Sequence, residues 1–257
     1  MNAVSGSYDT LAGVYEWFVP EPLSTPEGAV EAFASVVVDA LPAGARVLDC
    51  AAGTGLLAVG LALRGYDVVA SDASAAMVER TKALAIEHGV DVPAVTCAWE
   101  ALERQGWQGS FDAVFCVGNS IAHAGPMPCR RAALTSMSGV LGDGGLLVLT
   151  SRNWDLVRSR GSGIQVADRM VERGGDRALV IYGWTLPDST EQALYVDVAV
   201  ALIAGSGAVT THQERLECWP FTHRQLDADL RASGLTPELS TYADEDERYL
   251  VTARRRP

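Results

Sequence analysis

Basic residues are scarce in this chain: twenty Lys and Arg stand against thirty-two Asp and Glu, a formal net charge of −12. A polyanion is repelled on average by such a balance, so nucleic acid is disfavoured as a substrate. The one basic run, Arg254-Arg255-Arg256, reads as a solvated end. No apolar stretch approaches the ~18 residues that a membrane span needs. The opening ten residues have neither the basic start nor the apolar core of a signal peptide, so the expected location is cytoplasmic. Five cysteines (50, 97, 116, 129 and 218) form no C-x-x-C pair, and four histidines (88, 123, 212 and 223) lack ligand spacing. Buried thiols are therefore expected, with no metal site and no disulfide framework. A Ser/His/Asp signature, an internal repeat and a low-complexity tract are also missing.

What is present is a chain of 257 residues, enough to bury a core as one domain over 1–257. Strands are predicted near 46–50, 67–71, 93–97, 111–117 and 145–150, with helical patterns between them, notably over 74–88 and 127–141. Such alternation implies a parallel sheet with right-handed crossovers. Ahead of it, Thr25-Pro26-Glu27 is a good helix start, and one helix to residue 40 is expected with Val30, Phe33, Val37 and Val38 inward. Residues 1–25 read as an aromatic lid segment. After residue 150 the alternation stops, and strands are predicted over 164–172, 177–186, 193–203 and 209–217. A helix over 223–233 and strands near 237–242 and 248–253 complete the pattern. The segment 160–220 thus reads as an antiparallel insertion on the substrate side.

One nine-residue run is the most informative. Val47-Leu48-Asp49 ends a strand in a carboxylate, and Cys50-Ala51-Ala52-Gly53-Thr54-Gly55 turns into the helical pattern that follows. Seventeen residues past Gly55, a second strand ends in Asp72. This layout is a nucleotide-binding βαβ half: glycines let backbone approach a ligand, a helix start presents free N–H groups, and the second acid suits ribose hydroxyls. Gly53-Thr54-Gly55-Leu56-Leu57-Ala58 also fits a loose G-x-G-x-x-A pattern, so a dinucleotide stays open as the alternative. Asp49 weighs against it, because a carboxylate at that point would face a pyrophosphate at short range. S-adenosylmethionine (SAM) has no phosphate and carries an ammonium and a sulfonium, which Asp49 would attract.

Asp49-Cys50-Ala51-Ala52-Gly53-Thr54-Gly55 resembles motif I of the class I SAM-dependent methyltransferases, and Ser71-Asp72-Ala73-Ser74-Ala75-Ala76-Met77 resembles their second motif. Phe111-Asp112-Ala113-Val114-Phe115-Cys116-Val117-Gly118-Asn119-Ser120-Ile121-Ala122-His123 is similar to the fourth-strand motif of glycine N-methyltransferases. Gly144-Gly145-Leu146-Leu147-Val148-Leu149 and Ser151-Arg152-Asn153-Trp154-Asp155 resemble the same group's fifth strand and its continuation. The resemblance covers residues 46–155. It implies a Rossmann-like SAM-methyltransferase fold in the α/β class, with a mostly parallel seven-stranded sheet and the antiparallel β insertion after strand 5.

The resemblance also implies roles. Backbone at Ala51, Gly53 and Gly55 would hold the methionine end of SAM beside Asp49. Asp72 and Ala73 would meet the ribose, and Met77, Ala98 and Trp99 the adenine. Val117 would offer backbone atoms to the ammonium, and His123 would reach the cofactor or satisfy a loop carbonyl. Tyr8 and Tyr15 match a Tyr-Asp…Tyr pattern that lies over the cofactor in many small methyltransferases. Asn119 would bind a polar group or fix its turn. Arg152 matches a substrate-carboxylate clamp, with an ion pair to Asp155 as the alternative. Trp17, Trp154 and Trp219 would line an amine pocket. Methyl transfer needs a neutral nucleophile held in line and water excluded, so no metal or covalent nucleophile is required.

Three departures from the glycine enzymes bear on the substrate. Pro20-Glu21-Pro22-Leu23-Ser24-Thr25 lacks an arginine found there in that group, Cys218-Trp219 replaces a tyrosine pair, and Ala98 replaces an asparagine. The reading is a SAM-dependent N-methyltransferase of a small amino-acid-derived amine, of the natural-product tailoring kind that includes enzymes of lincosamide antibiotics. The alternatives are a glycine/sarcosine N-methyltransferase or a small-molecule O-methyltransferase, the latter needing a base such as His123. An NAD-dependent oxidoreductase and a non-catalytic SAM-binding protein are the rivals from other classes. The oligomeric state stays open, a homo-oligomer included.

Overall fold

The computed structural model describes residues 8–167, 169–189 and 191–256. Residues 1–7 of the expected lid therefore lie outside the described residues. A 3₁₀ helix, Ala12–Phe18, precedes two short helices, α1 (Pro26–Glu31) and α2 (Ala34–Ala40), where a single helix was expected. The chain breaks at Phe33 (φ −115°, ψ 14°), whose ring packs edge-on against Phe115 at 5.9 Å. Thr25 caps α1, accepting the Gly28 N–H. Val30 and Val37 are buried, joined by Val36, while the Val38 side chain lies outside the described residues.

The βαβ core follows in order. It comprises β1 (Arg46–Asp49), α3 (Leu56–Leu63), β2 (Asp67–Asp72), α4 (Ala75–His88), β3 (Ala94–Thr96) and β4 (Phe111–Cys116). Next come α5 (Met127–Val140), β5 (Leu141–Arg152) and a short α6 (Trp154–Arg160) that the sequence pattern did not announce. The insertion holds β6 (Gly163–Val166), β7 (Val171–Arg173), β8 (Asp176–Thr185), β9 (Leu194–Ile203) and β10 (Val209–Cys218). Finally α7 (His223–Ala232), β11 (Leu235–Ser240) and β12 (Arg248–Arg255) close the chain.

The main sheet runs β11-β12-β5-β4-β1-β2-β3. The pairs β1–β2, β1–β4, β2–β3 and β4–β5 are parallel, and β12 is antiparallel to both its neighbours. Successive strand residues face opposite layers. Val47, Val68, Ala113, Phe115 and Val148 join the cluster under α2 and α3, whereas Leu48, Val69, Val114, Cys116 and Leu149 join the one around α5 and α7. Both faces are thus covered, as a parallel sheet requires. Strand order reverses between β1 and β4, which places a ligand crevice beyond their carboxyl ends.

The insertion is a second, antiparallel sheet, β10-β9-β8-β6, with β7 also on β8. One strand was expected over 164–172; there are two. Val166 pairs with Ile181 and Val171 with Ala178, so the register shifts by two residues between them and the strand is interrupted. Its inner residues Val196, Val198, Val200 and Leu216 belong to the same cluster as Leu48 and Val114. That packing sets the insertion over the crevice.

Candidate active site

Asp49 ends β1 almost fully buried, 1% exposed. The only hydrogen bond it receives among the described residues is a long one from the Ala51 N–H, 3.4 Å. Burial pushes its carboxyl up to about 7, opposed by that hydrogen bond and reinforced by the nearby Asp72 charge. Asp72 stands at the end of β2, its Oδ2 accepting the Gly53 N–H and its Oδ1 the Ser74 N–H, both at 2.9 Å. Burial raises its carboxyl too, and those backbone hydrogen bonds act against the rise. Each oxygen keeps a lone pair for a further donor.

The two motif glycines differ in function. Gly53 (φ +55°) faces open space, where a Cβ would meet nothing nearer than Tyr15 Cε1 at 4.0 Å. Gly55 (φ +88°) faces Thr81, whose Cα would lie 2.9 Å from a Cβ. Its lack of a side chain thus lets α3 lie close to α4. Ala51, Ala73, Ala98 and Val117 are all half-buried at strand or loop ends around the crevice. Met77 is buried in the first turn of α4 and donates its N–H to the capping Ser74 Oγ. Trp99 is tied to the motif loop by its indole N–H, which donates to the Cys50 carbonyl at 2.8 Å. The Val117 carbonyl accepts from Ser120 Oγ at 2.7 Å.

Residues 8–18 lie across this crevice. Asp9 accepts a hydrogen bond from Ser74 Oγ, and Glu16 pairs with Arg80 of α4. Tyr8 packs edge-on to both Tyr15 (5.9 Å) and His123 (5.5 Å). Burial raises both tyrosine hydroxyls, and for Tyr15 the next contribution is the Asp72 charge, which places that ring near the end of β2.

Beside the crevice lies a cavity of about 130 Å³. Tyr8, Tyr15, Phe18, Asn119, His123 and Arg152 line it, and the insertion contributes Tyr182 and Trp184. His123 Nδ1 lies 2.7 Å from the Glu217 carbonyl and Nε2 lies 3.0 Å from the Tyr8 hydroxyl. A carbonyl only accepts, so Nδ1 carries the proton and Nε2 accepts from Tyr8. Burial lowers the His123 pKa, holding the ring neutral. Both nitrogens are therefore engaged within the protein, Nδ1 with the Glu217 carbonyl and Nε2 with the Tyr8 hydroxyl. Asn119, in the left-handed region (φ 71°), accepts the Arg152 N–H on its Oδ1 at 2.9 Å. It locks the β4 loop to the end of β5 while lining the cavity.

The Arg152 guanidinium sits 5.2 Å from the centre of the Trp184 ring. Among the described residues it has no carboxylate within ion-pair distance, Asp155 included. Burial lowers its pKa to about 10, and neighbouring Arg248 adds to the drop. Trp154 also lines the cavity, and its indole N–H is buried without a partner. The other two tryptophans are elsewhere. Trp17 packs into the core with Arg173 6.0 Å from its ring, and Trp219 donates its indole N–H to the Glu217 carboxylate at 2.7 Å. Tyr182, Trp184 and Arg248 take their places. The first two share the inward face of β8 with Val180, an alternation legible in the sequence; Arg248 gave no local signal.

The family model described as "Methyltransferase domain" matches residues 47–145. The glycine/sarcosine N-methyltransferase of Parasynechococcus marenigrum (strain WH8102) is 37% identical over 134 residues, covering 52% of this chain and 47% of that protein. The chain thus spans about half the length of the curated relatives it matches. The CcbJ methyltransferase from Streptomyces caelestis shares its fold with a TM-score of 0.78 at 19% identity, covering 100% of both chains. The sugar N-methyltransferase KedS8 from Streptoalloteichus sp. does so with a TM-score of 0.71 at 22% identity, covering 100% of this chain and 96% of that one. Crevice, fold and family match point the same way, the chain being similar over residues 47–145 to the methyltransferase-domain model.

Proposed function

We propose that this chain transfers a methyl group from SAM to the amine of a small amino-acid-derived molecule, as a natural-product tailoring N-methyltransferase. The crevice fits the cofactor by its chemistry. Asp49 is a buried carboxylate with one long hydrogen bond and no cation beside it, an arrangement that a positively charged ligand completes and a pyrophosphate worsens. Asp72 retains acceptor capacity for hydroxyl donors, and Gly53 leaves its face open. When bound, SAM supplies an electrophilic methyl group carried on a sulfonium.

The observation that carries the reading is the cavity beside that crevice, walled by aromatic rings and holding a guanidinium with no carboxylate in ion-pair reach among the described residues. Arg152 would pair with an acid group of the acceptor and so fix its amine. The same positive charge lowers the pKa of a neighbouring ammonium, favouring the neutral nucleophile. Tyr8, Tyr15 and Phe18 exclude water and present ring faces to the ammonium that forms. A positioned amine needs no base, and orientation alone can be worth roughly 7–11 kcal/mol.

At about 130 Å³ the cavity holds the equivalent of about four waters, enough for the reacting end of an acceptor. A tailoring substrate is supported by the full-length likeness to a protein described as a sugar N-methyltransferase, insertion included. The glycine enzymes match about half of their length. O-methylation is the second reading, favoured by the Tyr8–His123 pair, which could accept a hydroxyl proton. The test is transfer of isotopically labelled methyl from SAM to glycine, sarcosine, proline amides, amino sugars and a phenol, read by mass spectrometry. Label on a bulkier amine is expected. Label on glycine or sarcosine alone makes this a glycine-type enzyme, and label on oxygen overturns the N-acceptor.

A further inference from the structure

Arg152 does not stand alone. Antiparallel pairing of β5 with β12 sets Arg248 directly opposite it, and both side chains line the cavity. Like charges directly opposite on paired strands are unfavourable. Among the described residues neither guanidinium has an acid within ion-pair distance. Of the nearby acids, Glu247 feels both guanidiniums but pairs with Arg160 at 2.7 Å, Glu217 accepts the Trp219 indole N–H, and Glu214 accepts the Tyr8 N–H through one oxygen while the other is buried without a partner. The two guanidiniums meet at this end of the cavity beside the Tyr182 hydroxyl.

We infer that Arg152 and Arg248 form a site for a compact dianion, a phosphate monoester or a dicarboxylate, carried by the acceptor. The inference rests on the acceptor cavity of the proposed function and deepens it. A single carboxylate is satisfied by one bidentate arginine, which would leave the second guanidinium uncompensated beside a cationic cofactor. Two negative charges balance the pair. Arg152 is the inner member, half-buried against Trp184, and Arg248 is exposed at the rim. The chain as a whole carries a net charge of −12, so this local excess of positive charge runs against its surroundings.

The test is calorimetric titration, without SAM and at pH 8, of inorganic phosphate, malonate and acetate into the wild-type protein, Arg248→Met and Arg152→Met. A dianion is expected to bind about tenfold or more tighter than acetate, and Arg248→Met to remove most of that difference while changing acetate affinity less than about threefold. Tighter phosphate than malonate assigns a phosphate ester, and the reverse assigns a dicarboxylate. Arg248 is exposed, so its variant should fold; a thermal melt checks this. Acetate binding as tightly as both dianions, or dianion affinity unchanged in a folded Arg248→Met protein, overturns the inference. Because no methyl transfer is read, a failure of the proposed reaction leaves this result interpretable. Efficient transfer to a monoanionic amine without dianion preference would remove this inference alone.

Discussion

Replacing Asp49 by asparagine separates what the crevice costs the fold from what it does for the ligand. The unfolded chain releases this proton near 3.8 and the folded chain retains it to about 7. Between those values the folded state binds more protons, so this group's contribution to stability falls as pH rises through that window. At 1.36 kcal/mol per unit, the charged carboxylate costs the ligand-free fold about 4 kcal/mol at pH 8. The amide introduced by Asp49→Asn does not titrate. At pH 5 the unfolded chain has already released this proton while the folded chain keeps it, so urea unfolding there should find the variant more stable by about 1–2 kcal/mol. At pH 8 the Asp49→Asn variant should be more stable than wild type by about 3–4 kcal/mol. SAM should reverse the advantage, binding the variant more weakly by about 1–3 kcal/mol. A variant that is less stable than wild type at pH 8, or a difference independent of pH, refutes the reasoning.

Arg152→Ala should raise the apparent KM for an acidic acceptor by about tenfold or more and change that for SAM little; an unchanged acceptor KM removes the clamp. Gly55→Ala forces a Cβ against the Thr81 backbone at φ +88° and should cost about 3 kcal/mol or more in thermal unfolding, whereas Gly53→Ala should cost about 1–2 kcal/mol. Equal losses would contradict the different surroundings of the two glycines. Tyr8→Phe removes the hydroxyl that His123 Nε2 accepts from. For an amine acceptor kcat should fall by less than about tenfold, and a loss of about a hundredfold or more would show that the pair acts as a base and favour an oxygen acceptor.

The core was legible because its signals are local. Apolar runs ending at Asp49 and Asp72, a Gly-rich turn and capped helices each occupy a few consecutive residues, and the strands lie within a few residues of their expected places. The insertion was legible from period-two alternation. Its broken first strand was not, since the two-residue shift opposite β8 depends on pairing rather than composition. The residues around the crevice were legible as a group, and those lining the cavity were less so. Arg152 was found through the chain around it, but its partner Arg248 comes from a strand some hundred residues later and meets it only by register. Trp219 was drawn toward the pocket by sequence position, yet an acid two residues away claims its indole N–H.

Calorimetric titration of SAM into the wild-type chain and into Asp72→Ala, with NADH as the competing ligand, tests the central claim most directly. One SAM per chain is predicted, weakened by about 1–3 kcal/mol in the variant, with no heat from NADH. Binding of NADH without SAM, or SAM affinity untouched by the loss of Asp72, would contradict the account.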